Sequence, residues 1–275
     1  MSFGLPRRTW LFVAGADPAA HEAAARSAAD VLIHELEDFT PPGLRPRARA
    51  MAKALYARWR AAGKGVAVRV NPLETCGRED LKGVLPGKPD VVLMSKVVSA
   101  AQVKALARLA PGVDLVPNVE TARGLVHAYE IGRASPRVKA MLVASEDMVA
   151  DLGTNRSREG EELAYARQRF LLECRAAGVE AIDAPFTFSD VQGAVADARW
   201  AKRMGYRMKS LVLPSHAAAL NKVFTVSARD RRNARRIVAA FEAARARGGD
   251  RAKVAGKLVE VPIYNAAKRL LQSEG

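Results

Sequence analysis

The sequence predicts an α/β protein built as a (β/α)8 barrel of the TIM type, with a C-terminal helical extension. Three observations carry that prediction. Eight short apolar runs recur at fairly even intervals: Thr9–Gly15, Val31–Glu37, Gly65–Asn71, Val91–Lys96, Asp114–Glu120, Lys139–Ser145, Ala181–Phe186 and Ser210–Pro214. Each is rich in Val, Leu or Ile and flanked by polar, Gly or Pro positions, as expected of strands buried on both faces of a parallel sheet. The stretches between them have helical periodicity and enough length for crossover helices. Eight such units in roughly 250 residues is the size of one barrel, and the chain has 275 residues. Residues 1–226 are expected to form the barrel and residues 227–275 the extension.

The expected helices follow the strands in order. Ala19–Ala29 is an Ala-rich helix with Pro18 at its first turn, and Arg47–Ala62 follows with Pro46 at its start, where proline's fixed φ suits helix entry. Ala100–Leu109 and Ala122–Ile131 come after the fourth and fifth runs. Glu161–Ala177 stops at Gly178, and Asp190–Gly205 also ends on glycine, a residue that accepts the left-handed turn closing many helices. Beyond the eighth run, Ser227–Arg247 is helical and basic and closes at Gly248–Gly249. A short extended piece, Lys257–Pro262, then leads into a last helix. Val259, Ile263, Leu270 and Leu271 give this tail its own apolar face, expected to dock on the barrel or on a neighbouring subunit, so that a homo-oligomer is expected.

Composition narrows the classes. Hydrophobic residues make up 49% and charged residues 27%, as in a globular domain with a sizeable core. No apolar run approaches the ~20 residues that span a membrane, and Met1–Arg8 with its following run does not resemble a signal peptide; a cytoplasmic protein is expected. Cys76 and Cys174 have neither disulfide-framework nor metal spacing. The net charge is +15, which raises nucleic acid as a partner. Against it, the Arg and Lys residues are spread along helical stretches, only 6% of residues are aromatic, and nothing resembles a base-stacking platform. The charge instead fits a solvated surface or attraction of an anionic substrate. Gly-x-Gly-x-x-Gly and the phosphate loop ending Gly-Lys-Ser/Thr are absent.

In a (β/α)8 barrel the site lies at the C-terminal ends of the strands. Those ends carry Glu37 and Asp38, Arg69 and Asn71, Lys96, Glu120, Glu146 and Asp147, and Asp183. Glu120 and Asp147 end adjacent strands about 4.8 Å apart and can share one cation; oxygen-only ligation suits Mg²⁺. Capping or salt-bridge roles explain the pair equally well. Arg69 can hold a carboxylate or carbonyl oxygen in bidentate fashion, or serve as an internal partner for Glu37 or Glu120. Of Glu37 and Asp38, strand alternation lets one face the mouth directly. Lys96 can form a Schiff base with a carbonyl substrate or a salt bridge to Glu37 or Glu120. The four histidines are scattered, with no metal spacing and no Ser/His/Asp arrangement.

Taken together, Arg8-Thr9-Trp10-Leu11-Phe12-Val13, Glu35-Leu36-Glu37-Asp38, Arg69-Val70-Asn71-Pro72, Met94-Ser95-Lys96-Val97, Val119-Glu120-Thr121-Ala122, Ser145-Glu146-Asp147-Met148 with Asp151-Leu152-Gly153, Gly178 to Asp183 and Gly256 to Pro262 resemble the HpcH/HpaI aldolase and citrate lyase β-subunit family, in its order and over nearly the whole chain. The resemblance implies a Mg²⁺-dependent carbon–carbon lyase, trimeric or hexameric, joining or cleaving a 2-oxo acid and an acetyl-type carbon, commonly on a CoA thioester. It implies Glu120 and Asp147 as metal ligands, Arg69 as the holder of substrate oxygen, and Glu37 and Asp38 as catalytic residues that line and orient the site. Glu260 matches a carboxylate that reaches a neighbouring subunit's site. Arg8, Lys96 and Pro214 are expected to contact substrate. Five departures from the family pattern fall at Glu35, Ser95, Met208, Leu213 and Glu260. Two rivals to the lyase are a Schiff-base aldolase using Lys96 and a non-catalytic barrel that binds CoA esters or nucleic acid.

Overall fold

The computed structural model describes residues 7–272. The chain forms two compact units, one ending at Phe224 and the other beginning at Thr225. In the first, eight parallel strands close on themselves: β1 (Thr9–Ala14), β2 (Val31–Glu35), β3 (Gly65–Val70), β4 (Val91–Met94), β5 (Asp114–Val119), β6 (Ala140–Val143), β7 (Glu180–Asp183) and β8 (Met208–Leu211). Each pairs with the next in sequence, and β1 pairs with β8 through Thr9 opposite Lys209. Around them run α1 (Pro18–Arg26), α2 (Arg45–Ala61), α3 (Gly77–Val84), α4 (Ala100–Leu109), α5 (Ala122–Val126), α6 (Ala128–Arg133), α7 (Glu146–Asp151), α8 (Glu161–Ala177), α9 (Val191–Met204) and α10 (Ala217–Phe224).

All eight apolar runs form strands, and most strands stop short of the polar residues that end the runs. β2 stops at Glu35 rather than Glu37, and β4 at Met94 rather than Lys96. The 122–131 stretch is broken at His127 into α5 and α6, and α3, α7 and α10 are additions to the expected helices. These three are short, six to eight residues, too brief to show a periodic apolar stripe. Several helix starts are held by side-chain caps: Asp17 accepts from Ala19 and Ala20 N–H, and Ser99, Thr121 and Asp190 each accept from an amide in the first turn. Such caps satisfy amides that have no intrahelical partner, at about 1 kcal/mol each.

Two layers of core follow from strand alternation. Trp10, Phe12, Ile33, Ala67, Leu93, Val116, Leu142, Ile182 and Met208 fill the barrel interior. Neighbours such as Leu11, Leu32, Val68, Val92 and Val143 pack outward against the helices. Burying a side chain of this size contributes roughly 1.5–3 kcal/mol, so the closed barrel is a rigid frame. The outward layer also holds a charge network. Lys209 and Asp183 are fully buried, and Lys209 Nζ lies 2.6 Å from both Asp183 and Asp197. Arg167 completes it, 2.6 Å from Asp183 and 2.8 Å from Asp197. Asp183 therefore belongs to the wall, not to the mouth.

The second unit contains α11 (Ala228–Ala246), the antiparallel pair β9 (Ala252–Val254) and β10 (Lys257–Val259), and α12 (Val261–Gln272). Ser227 and Asp230 form a reciprocal capping box at the start of α11. Its small core stacks Phe241 on Tyr264, ring centroids 4.6 Å apart, with Val259 beside them and the Arg245 guanidinium over both rings. Among the described residues, no helix is long and apolar enough to cross a membrane.

Candidate active site

The alternation that fills the barrel also aims the site. Ile33 faces inward, so Glu35 two residues on does as well; Ala67 sets up Arg69, and Val116 sets up Asn118. A cavity of about 460 Å³ opens above this inner layer. Phe12, Arg69, Asn118 and Leu142 form its floor, and Asp38, Phe39, Asp147, Pro185 and Val212 stand around it. These residues come from the strands and from the segments that follow their C-terminal ends, Asp147 from the first turn of α7.

Arg69 is the hub. It is 5% exposed and donates from Nε to Glu35 at 2.9 Å and from Nη1 to Glu120 at 3.4 Å. Its Nη2 lies 3.1 Å from Glu37 and 3.9 Å from Asp38, and its plane sits 4.8 Å from the Phe12 ring centre. Burial works against the guanidinium charge, but the carboxylates of Glu35, Glu120 and Glu37 outweigh it and raise its pKa. Glu35 also accepts the Glu37 and Phe39 amides, both at 2.6 Å. It fixes Arg69 and the loop beyond β2 at the same time, a role legible from its inward parity once β2 is known to end there. Asn118, likewise not singled out by sequence pattern, donates from its side-chain amide to Glu120, and its side-chain oxygen Oδ1 is buried without a hydrogen-bond partner.

Because β2 ends at Glu35, strand alternation does not govern Glu37 and Asp38. Both converge on Arg69 and Lys96, Glu37 buried and Asp38 half exposed. Lys96 arrives differently. Its backbone is left-handed, φ 53°, which turns its amide onto Glu120 at 3.2 Å and its ammonium onto Glu37. Burial lowers the lysine pKa, but the bond to Glu37 and the charges of Glu37, Asp38 and Asp147 overcome it and push it up to about 12. An amine that attacks a carbonyl has to be neutral, so this lysine is a fixed positive charge.

Glu120 is fully buried. Burial, with the charges of Asp147 and Glu37 added and those of Arg69 and Lys96 opposing, pushes it up to about 8. Burial likewise raises Glu37. Asp147 is not at a strand end; it lies in the first turn of α7, lining the cavity. Five carboxyl groups (Glu35, Glu37, Asp38, Glu120 and Asp147) thus gather around two cations. That gathering of carboxyl oxygens, together with the unpartnered side-chain oxygen of Asn118, suits an added divalent cation, whose charge would favour the ionised carboxylates that burial disfavours. Among the described residues, no three His, Cys, Asp or Glu side chains are placed to enclose a metal. Two carboxylates with water and substrate completing the shell is a pattern of Mg²⁺ rather than of a closed protein cage.

The structure places the remaining expected residues elsewhere. Arg8 precedes β1, at the opposite end of the barrel from the mouth, where it donates to Asp30 at 2.7–2.9 Å; the expectation that it contacts substrate is corrected, because the chain enters the strand there. Pro214 follows β8 at the mouth end but is exposed and does not line the cavity. Glu260 belongs to the second unit, half exposed and 3.3 Å from Arg251. Asn71, expected among the mouth residues, ties loops instead, donating to Leu36 O at 2.8 Å and to Asp80 at 2.7 Å.

A parallel eightfold barrel with an arginine held among carboxylates at its C-terminal mouth places this chain in the (β/α)8 class, whose active sites lie at that end. The comparisons narrow the class. The family described as HpcH/HpaI aldolase/citrate lyase matches residues 8–214, and the chain belongs to that family, one of carbon–carbon lyases. It is 30% identical to the citrate lyase subunit beta of Leuconostoc mesenteroides subsp. cremoris, over 97% of this chain and 92% of that one. It is 33% identical to the (3S)-malyl-CoA thioesterase of Cereibacter sphaeroides, over 98% and 95%. Among solved structures, CitE from Mycobacterium tuberculosis in complex with magnesium, acetoacetate and coenzyme A is similar at a TM-score of 0.81, with 31% identity and 99% of each chain covered.

Proposed function

We propose that this protein is a Mg²⁺-dependent lyase that cleaves or forms the carbon–carbon bond of a small hydroxy acid or hydroxyacyl-CoA thioester of the citramalyl, malyl or citryl type, giving a 2-oxo acid and an acetyl-type product. The observation that carries the reading is the concentration of carboxyl groups on Arg69 at the barrel mouth. Glu120 and Asp147 would hold Mg²⁺, which when bound supplies Lewis acidity at the carboxylate and adjacent oxygen of the oxo-acid half.

The chain's own residues do the rest. Arg69 holds substrate oxygen with the guanidinium edge its carboxylate partners leave. Glu37, raised by burial, has an Oε2 that faces Arg69 as an ion pair without a hydrogen bond directed at it, and it takes the substrate hydroxyl proton as general base. The electron pair of the broken bond passes to the carbon next to the thioester carbonyl, which then gains a proton. Lys96, kept charged, stabilises the negative charge that develops there, while Asp38 holds Lys96 in place. In this reading Glu260 supplies its carboxylate to the site of a neighbouring subunit in a trimer or hexamer, and Pro214 shapes the mouth. The exposed Tyr165 and Leu172 on one face of α8 support assembly. A cytoplasmic place is part of the same reading, in line with the free thiols of Cys76 and Cys174.

The test is cleavage of hydroxyacyl-CoA esters and their free acids with Mg²⁺ or with EDTA, alongside titration calorimetry of Mg²⁺, for the wild type, Glu120→Gln and Asp147→Asn. EDTA-sensitive cleavage, lost with Mg²⁺ binding in both variants, is expected. Unchanged metal binding and turnover in the variants would overturn the assignment. Borohydride trapping with a 2-oxo acid is expected to leave Lys96 unmodified.

A further inference from the structure

Much of the cavity lining is apolar. Beside Arg69 and Asn118 on the floor lie Phe12 and Leu142, and Phe39, Pro185 and Val212 continue that apolar surface around the space, with the hydroxyls of Ser145 and Thr187 also in the lining. Phe39 is 42% exposed, an unusual place for a large aromatic ring, and it meets Phe12 edge to face with ring centres 6.2 Å apart. Its position is held from beneath, because its own amide donates to buried Glu35. The two rings form one aromatic wall in the cavity that Asp147 also lines.

The charges of the lining are equally one-sided. Among the described residues that line the cavity, Arg69 is the one cation, against Asp38, Glu146 and Asp147. Arg69 is already engaged by three buried carboxylates. Lys96, nearby, does not line this cavity, and its ammonium, resting on Glu37 and Asp38, is the charge already assigned to the thioester half. Arg156, the next cation along, is paired with Glu162 at 2.8 Å and with Glu146 at 3.7 Å. One carboxylate of a hydroxy acid finds Arg69 and the metal. A second, carried on the oxygenated carbon, would find no second cation among the described lining residues, which beside the apolar surface are the carboxylates of Asp38, Glu146 and Asp147 and the uncharged Asn118, Ser145 and Thr187, and burying a charge without an opposite charge is costly.

We infer, resting on the lyase reading above, that the oxygenated carbon of the substrate carries hydrogen or an uncharged alkyl group rather than a carboxymethyl group, so that the oxo-acid product is a monocarboxylate, and that Phe39 is the residue enforcing this choice. The apolar wall receives the alkyl group, and the ring of Phe39 covers it. The citryl-type substrate named by part of the family is the one this cavity rejects.

The experiment compares kcat/KM, in the presence of Mg²⁺, for four CoA thioesters that differ only at that carbon: hydrogen, methyl, ethyl and carboxymethyl. The best of the uncharged three is expected to exceed the carboxymethyl ester by at least about 100-fold, since a site rejects a group it must bury without a partner far more strongly than it distinguishes one methylene. Phe39→Leu, which keeps the wall apolar, should retain the preference; Phe39→Arg, which adds a cation at the wall, should shrink it to below about tenfold. Cleavage of the carboxymethyl ester within tenfold of the methyl ester by the wild-type enzyme would overturn the inference while leaving the lyase reading intact. If no thioester is cleaved, the lyase reading fails, and calorimetry of pyruvate and oxaloacetate with Mg²⁺ then decides this one. Pyruvate binding at least tenfold tighter sustains it; equal binding, tighter oxaloacetate, or binding of neither sinks it.

Discussion

Replacing Glu35 with glutamine changes one atom and tests whether the site is held together from below. Glu35 accepts three donors: Arg69 Nε at 2.9 Å and the Glu37 amide at 2.6 Å on one oxygen, and the Phe39 amide at 2.6 Å on the other. A glutamine that keeps its carbonyl oxygen on the first pair must present its NH2 to the Phe39 amide, donor against donor. The lost bond, one to a charged acceptor, costs about 1.5–3 kcal/mol, and the Arg69 pair loses one of its ions in a fully buried place. The expected destabilisation of Glu35→Gln is about 3 kcal/mol. For a unit of this length that is a melting temperature lower by about 6–12 °C. Freed from one partner, Arg69 should lose its single orientation and Phe39 its anchored amide, so kcat/KM should fall at least about tenfold with a substrate the wild type cleaves. Differential scanning fluorimetry and a turnover assay on the same preparation read both effects. A melting temperature within about 2 °C of wild type, together with unchanged kcat/KM, would refute the claim that Glu35 organises Arg69.

Three further outcomes follow from the packing. The charges of Lys209 and Arg167 hold Asp197, against the effect of its own burial, down to about 2; a depressed carboxyl stabilises the fold above its unfolded pKa and loses that contribution as pH falls, here between about pH 4 and pH 2. The gap in unfolding free energy between wild type and Asp197→Asn should therefore be about 2 kcal/mol near pH 6 and close towards pH 2 in urea titrations; a gap independent of pH would contradict it. Gly77 begins α3 where a Cβ would lie 2.1 Å from Asn71 O, so Gly77→Ala should destabilise the protein by about 1–3 kcal/mol by moving the loop that Asn71 ties to Leu36 and Asp80; a wild-type denaturation midpoint would show the loop yields freely. In the second unit, Phe241→Ala should remove the ring stacked on Tyr264 and cost about 3–5 kcal/mol locally, read as faster proteolytic cleavage after Thr225 with the barrel unit intact; equal cleavage rates would argue against that core.

Much of the architecture was already legible in the chain. Eight Val- and Leu-rich runs with crossover-length spacers specify a parallel barrel because only strands buried on both faces need such continuous apolar character. Of the two residues the resemblance implies as metal ligands, Glu120 meets Arg69 at 3.4 Å because strand ends of a closed barrel converge, and Asp147, from the first turn of α7, lines the cavity that Arg69 also lines. What local pattern missed was where strands stop. The apolar run Val31–Glu37 gives no sign that the ladder ends at Glu35, so Glu35, the anchor of Arg69, passed unnoticed while Glu37 and Asp38 were treated as alternating strand residues. Arg8 was misplaced because a motif read along a line does not say which end of the strand faces the mouth.

The sequence by itself determined the fold class, the family and the residue types at the mouth, because hydrophobic period and strand-end chemistry are local properties of the chain. Only the tertiary structure decided which charges meet. Lys96 reaches Glu37 through a left-handed turn, and Glu120 is pushed up to about 8 by burial and by the carboxylates of Asp147 in α7 and Glu37 beyond β2. Phe39 becomes a wall only because Phe12, on the neighbouring strand β1, meets it edge to face. Electrostatics and burial depend on distances between segments that are remote in sequence, and the closure of the barrel is what sets those distances.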